Sequence, residues 1–225
     1  MNLRLVVLTL FPVLASAALL PGSDLSRYRE FQLGVPLADI AKQAGMESSE
    51  ATLISGRPER IEELDWRTNR SSSATPADSV REIRFNFYNG SLFEMMVAYG
   101  SEHTGGLTDI DMTEALSAIY GPVSAPVAKE MVFHSGYSNT VRVIAQWNDT
   151  KSLLSLVGFS YGRGYGVIVS STSSQTLARR AMVESERLDR VEAPKRALDQ
   201  RAKQAADDEA SDEKLRMSNK PGFRP

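Results

Sequence analysis

Val80-Arg81-Glu82-Ile83-Arg84-Phe85-Asn86-Phe87-Tyr88-Asn89-Gly90-Ser91-Leu92-Phe93-Glu94-Met95-Met96-Val97-Ala98-Tyr99 is the stretch on which the fold turns. Ile83, Phe85 and Phe87 alternate with Glu82, Arg84 and Asn86, so one strand face is apolar and the other polar. Asn89-Gly90 marks the turn, because both residues tolerate the left-handed backbone that tight hairpin loops need. Two registers compete. A two-residue Asn89-Gly90 loop sets Phe85 opposite Glu94 and Ile83 opposite Met96. A three-residue loop, Tyr88-Asn89-Gly90 with Gly90 left-handed, sets Phe85 opposite Phe93 and Ile83 opposite Met95. The second gathers these apolar residues on one face and is the expected register, since a one-residue slip would turn the set to the wrong side.

Helices flank this hairpin in the sequence. Gly34-Val35-Pro36 leads into Leu37, Ile40, Ala41 and Ala44, one face of a short helix that Gly45 stops. Thr108 is placed to cap a second helix, with Asp109 and Asp111 in its positive first turn and Met112, Ala115, Leu116 and Ile119 on one face. Gly121-Pro122 ends it. Residues 51–55 and 61–67 read as strands, the latter with Leu64 and Trp66 on one face. Val141, Val143 and Ala145 lead a strand to Trp147, Asn148-Asp149-Thr150 turns the chain, and residues 152–161 and 165–171 supply two more strands. The order helix, strands, helix, strands reads as an internal αββ-type duplication. The expected fold is α+β, a two-layer sandwich of an antiparallel sheet with two short helices on one face. Residues 67–78, rich in Ser, Thr, Pro and Asn, read as an exposed loop.

The ends of the chain differ in kind from this middle. Arg4, the apolar run Leu5–Leu14 and the small residues Ala15-Ser16-Ala17 have the layout of a secretory signal peptide, with the mature chain starting near Ala18. The expected location is therefore exported, either periplasmic or secreted. The run is too short to span a bilayer, and mean hydropathy of −0.26 fits that reading. The chain has no cysteine, so it has no disulfide and no thiol nucleophile. Residues 18–174 are expected to form the α+β domain and 175–225 a charged tail. Leu177, Ala181, Val183, Leu188 and Val191 make a partial apolar stripe whose first part can dock on the domain. Pro194 is expected to break or restart the helix. From Lys195 to Lys214 the only large apolar residue is Leu198, which points to a solvated helix held by charge pairs or a mobile tail. Residues 179–225 carry 12 basic and 10 acidic side chains, and residues 18–178 carry 13 and 18. The globular part is thus mildly acidic, which speaks against a nucleic-acid partner.

No motif carries chemistry. Gly158-Phe159-Ser160-Tyr161-Gly162 matches G-x-S-x-G, but a strand follows it and no histidine comes after His134. Gly162-Arg163-Gly164-Tyr165-Gly166 reads as a hairpin turn, not a phosphate loop. Asp109-x-Asp111-x-Thr113 begins like a calcium loop but has Glu114 and Tyr120 where Gly and Glu are required. His103 and His134 read as surface histidines. Three sequons occur, at Asn69, Asn89 and Asn148. The expected sets of catalytic, cofactor-binding and metal-binding residues are therefore empty. Tyr161, Arg163 and Tyr165 form a basic aromatic patch which, with Phe223 and Arg224 near the C terminus, is the candidate interaction surface.

Phe31-Gln32-Leu33-Gly34-Val35-Pro36-Leu37, with Ile40 and Gly45, resembles the helix entry of the small outer-membrane assembly lipoproteins. The helix-and-strands unit is also similar to that of secreted beta-lactamase inhibitor proteins, where it is repeated twice. The second copy here is Leu107 to Gly121 with its strands. The chain departs from the lipoproteins in having no cysteine to carry a lipid. Its layout also resembles bacterial exported proteins that end in a charged helical tail. The resemblance implies a non-catalytic role, binding another protein of the cell envelope, and carries over no functional residue. Two alternatives stay open: a carboxylate-based hydrolase of envelope polymers, and a structural spacer or oligomerisation arm.

Overall fold

The computed structural model describes residues 24–68, 79–135, 137–159, 164–222 and 224, with the backbone alone over 125–140. The N-terminal segment at 1–17 and most of the 67–78 loop lie outside the described residues. The fold is α+β, built on an eight-stranded antiparallel sheet. A two-residue-strand hairpin, β1 (Arg27–Tyr28) and β2 (Phe31–Gln32), precedes α1 (Leu37–Gln43). Then come β3 (Thr52–Ser55), β4 (Ile61–Arg67), β5 (Val80–Tyr88) and β6 (Ser91–Tyr99). A single turn, α2 (Ser101–Thr104), and α3 (Asp109–Tyr120) lead to β7 (Ala125–Ser135), β8 (Tyr137–Asn148), β9 (Ser152–Phe159) and β10 (Tyr165–Ser171). The chain finishes in α4 (Thr172–Asn219).

The sheet order is β3-β4-β5-β6-β10-β9-β8-β7. Each half is a helix followed by a four-strand meander, and the last strands of the halves, β6 and β10, pair at the centre. The starts of α1 and α3 are 72 residues apart, as are the ends of β6 and β10. Met95 and Val97 stand 72 residues before Val167 and Val169, and all four are buried in one core. The repeated topological unit is thus αββββ, two strands longer than the αββ unit expected.

One sheet face carries the main core. Leu64, Ile83, Phe85, Met95, Val97, Leu154, Leu156, Val167 and Val169 meet Ile40 and Ala41 of α1 and Met112 and Leu116 of α3. Phe31 of β2 meets Phe85 edge-on at 4.8 Å. Gly34 N–H donates to the Leu92 carbonyl at 2.7 Å and Leu92 N–H to the Val35 carbonyl at 3.0 Å, which sets α1 on the hairpin. Thr108 caps α3 in a box with Asp111. The buried face of α3 is Met112 and Leu116 with half-buried Tyr120, a four-residue repeat. Ala115 and Ile119, expected on that face, are exposed.

The hairpin register differs from the expected one. Tyr88 pairs with Ser91 and Phe87 with Leu92, so the loop is the two-residue Asn89-Gly90, both residues having positive φ. The ladder then shifts at Phe93, setting Asn86 opposite Glu94, Phe85 opposite Met95 and Ile83 opposite Val97. An extra residue on one strand restores the parity that a longer loop was expected to supply. The apolar set still shares one face, but Phe93 turns to the other.

Candidate functional site: the helix-covered sheet face and its arm

The second sheet face is polar in one half and is covered by the start of α4, a partial third layer. Glu63 and Asp65 of β4, Glu82, Arg84 and Asn86 of β5 and Glu94 of β6 share this face through the paired register. Arg84 is buried, with its Nε 2.9 Å from an Asp65 oxygen, 3.6 Å from Glu63, and its Nη2 3.6 Å from Glu82. Three carboxylates thus converge on the Arg84 guanidinium, and Glu82 also faces Arg67 at 3.5 Å. Burial, helped by Asp65, Glu82 and Glu94, pushes the Glu63 carboxyl up against the pull of Arg84. One Glu63 oxygen is buried without a hydrogen bond.

Glu94 is sealed in more completely. Its two oxygens accept from Asn86 Nδ2 at 2.9 Å and Gln175 Nε2 at 2.8 Å. Burial raises its pKa, while Gln175, Asn86 and Arg179 pull it down less strongly. A perturbed carboxyl is a common mark of catalysis, but structural networks produce it too. Here both oxygens are occupied by the protein itself and no polymer could reach them, so the chemistry of Glu94 is that of a joint between sheet and helix.

α4 extends that joint. Ser171 caps it by accepting from the Ser174 N–H. Ala178 and Ala181 pack with half-buried Met182 against Ile61 and Phe93, the residue that the hairpin shift turned to this side. Small side chains let the helix approach the strands closely. Ser55 Oγ donates to Ser185 Oγ at 3.0 Å, and Arg57 closes the contact with Nη1 2.7 Å from Glu192 and Nη2 3.0 Å from Asp189. The domain's packing therefore carries on past Ser174. After Glu192 every described residue of α4 is exposed. Ala193 to Asn219 forms an arm of about 40 Å at about 1.5 Å per residue. The helix does not break at Pro194. The missing N–H there leaves the Arg190 carbonyl without its helical donor, and on an exposed stretch water can serve it.

The sequence-predicted patch is divided. Tyr165 is tied into the fold, its hydroxyl donating to Asp109 at 3.0 Å and to the Leu107 carbonyl at 3.2 Å. Asp109 also accepts from Arg142 at 2.7 and 3.2 Å, which holds its carboxyl below the usual range. The calcium-like acids thus serve as a cap and as the anchor of α3 to β8 and β10. Tyr161, Arg163 and Phe223, like Ser160 of the G-x-S-x-G match, lie outside the described residues, and Arg224 is exposed. His103 is exposed on α2, and the side chain of His134 lies outside the described residues. Asn89 uses its amide to hold the neighbouring loop, accepting from Arg60 N–H at 3.0 Å and donating to Glu59 at 2.6 Å. Among the described residues no three His, Cys, Asp or Glu side chains are grouped to hold a metal ion, and no helix is long and apolar enough to cross a membrane.

The buried polar face and the docked start of α4 were not among the sequence-predicted sites. The only signal for them was the partial stripe through Ala181. Comparison with protein-family models, with curated proteins and with solved structures finds no match.

Proposed function

We propose that this is an exported, non-catalytic protein that binds another protein of the cell envelope and presents the second half of α4 as its contact element. The observation that supports this reading is the division of α4. Residues 172–192, about six turns, are held by packing, hydrogen bonds and the Arg57 ion pairs, whereas the described residues of α4 from Ala193 onward are all exposed, with Arg196 reaching back to Asp189 of the same helix. An isolated helix of that length gains no burial from its own chain to offset its ordering. A partner surface would supply what is missing. The N-terminal layout of Arg4, Leu5–Leu14 and Ala15-Ser16-Ala17 supports export.

The test is a crosslinked pull-down from the envelope fraction of the host, with residues 18–225 and 18–193 as bait. The shorter chain keeps every docked residue of α4, and its melting temperature serves as the folding control. A partner captured by the full chain and lost with the arm is the expected result. A partner captured equally by both would move the binding surface to the domain, and no partner with either would overturn the proposal.

A further inference from the structure

The charges of α4 are not scattered. Glu184–Glu192 carries four acidic and two basic residues, and Lys195–Lys203 four basic and one acidic. Asp207–Glu213 then holds five acidic residues and no basic one, and Lys214–Arg224 four basic and no acidic one. The sign sequence minus, plus, minus, plus changes hand about Gln204. A second copy laid parallel and in register would set the five carboxylates of Asp207–Glu213 against themselves. An antiparallel copy, related by a two-fold axis at Gln204, sets each block against its opposite.

Residue positions follow from that axis, with each pair of facing numbers centred on 204. Glu192 meets Arg216, Lys195 meets Glu213, Arg196 meets Asp212 and Arg201 meets Asp207; within the single chain Glu192 holds Arg57, Arg196 holds Asp189 and Arg216 holds Glu213, exposed pairs that the second copy would share or replace. The apolar residues match in the same frame: Val191 with Met217, Leu198 with Ala210, and Ala202 with Ala206. At about 100° per residue these six lie within roughly a third of the helix circumference. Val191, Leu198 and Met217 are each more than 60% exposed in the single chain. Asp199 opposite Glu209 is the one like-charged pair. Small residues at the centre permit close approach of two helices, and facing charges fix orientation and register.

We infer that two copies of this protein pair through their arms as an antiparallel two-helix dimer centred on Gln204. This rests on the reading of the arm as an interaction element and names a second copy as an occupant of it. The isologous contact closes on itself, so the product is a dimer and not a filament.

The experiment measures mass in solution by light scattering, on the full-length mature chain and two charge-reversal variants. One variant carries Lys195→Glu, Arg196→Glu, Arg201→Glu and Lys203→Glu. The other carries Asp207→Lys, Asp208→Lys, Asp212→Lys and Glu213→Lys. The wild type is expected to double its mass at about 100 µM, and to dissociate on the order of tenfold more readily in about 1 M salt, where surface charges are screened. Each variant alone is expected to be monomeric, and their equimolar mixture to regain the dimer mass. Because the chain has no cysteine, single introduced cysteines report the direction. Val191→Cys mixed with Met217→Cys should give a disulfide-linked heterodimer, and Met217→Cys alone should not. A monomeric wild type, dimeric single variants, or self-crosslinking of Met217→Cys would overturn the inference. A monomer whose envelope partner is still lost on truncation at Ala193 would overturn the pairing alone, and a dimer without an envelope partner would overturn only the proposal of the preceding section.

Discussion

Glu94 is the residue that binds sheet to helix, and its charge opposes that role. Burial makes the folded state hold its proton more tightly than the unfolded chain does. The stability it lends is therefore fully present below the ordinary carboxylate range and is lost as pH rises through its raised folded value. Glu94→Gln keeps the side-chain length and both neighbouring amides while removing the charge. We expect this variant to be about 1–2 kcal/mol more stable than the wild type at pH 8 in urea unfolding, and the gap to close toward pH 4. Asp24, Asp109 and Asp111, whose carboxyls are held low by their partners, act in the opposite sense, but they cancel in this difference. Destabilisation at pH 8 that fades toward pH 4 would instead show that the ionised carboxylate is the form Gln175 and Arg179 select. The sequence hid this residue. Glu94 stands in Leu92-Phe93-Glu94-Met95-Met96, and period-two reading sends it and Arg84 to solvent because it counts one covered sheet face. Only the docking of a helix 81 positions further on turns that polar row into an interior one.

Among the elements, local signals performed best where one local device decided the outcome. The α1 face of Ile40 and Ala41, the α3 cap at Thr108 and the Asn89-Gly90 turn were all legible, since each depends on residues within a few positions. The hairpin register was not, because the shift at Phe93 is stabilised from outside, by Ala178 and Ala181 on the far side of the sheet. β7 was missed because Ala125-Pro126-Val127-Ala128-Lys129-Glu130 has neither clean alternation nor a turn signal. α4 offers the sharpest contrast between its halves. Ala181→Glu places a charge against Ile61 and Phe93 and is expected to cost about 2–4 kcal/mol. Arg57→Ala removes ion pairs that are about half exposed and should lower stability far less than Ala181→Glu, by urea unfolding of both variants. Ending the chain after Ala193 should shift the melting temperature by no more than about 2 °C, since no buried group is lost. A larger fall would mean that the arm packs on its own domain.

At the scale of the whole molecule, the two αββββ units close on each other through a single seam, β6 against β10. Each central strand has paired neighbours on both sides and buries Met95, Val97, Val167 and Val169 beneath both helices. Among the described residues the outermost strands, β3 and β7, are paired on one side only. Local opening costs most where burial and pairing are both complete and least where backbone groups face water. Amide hydrogen exchange should therefore fall from β3 inward to β6 and rise again outward from β10. The arm should show a different dependence. In a single copy the arm relies on its own helical hydrogen bonds, to which the exposed pairs of Arg196 with Asp189 and Arg216 with Glu213 add little. Its amides are then expected to exchange far faster than those of the seam. If two arms pair, protection over Ala193–Asn219 must grow with protein concentration while that of β6 and β10 stays fixed, because only the arm's protection is tied to association by mass action. Exchange measured at about 1 µM and about 100 µM reads both effects in one experiment. Arm protection that is concentration-independent and equal to that of the seam would mean the helix is held by its own domain, and no charge pattern on it would then be free to choose a partner.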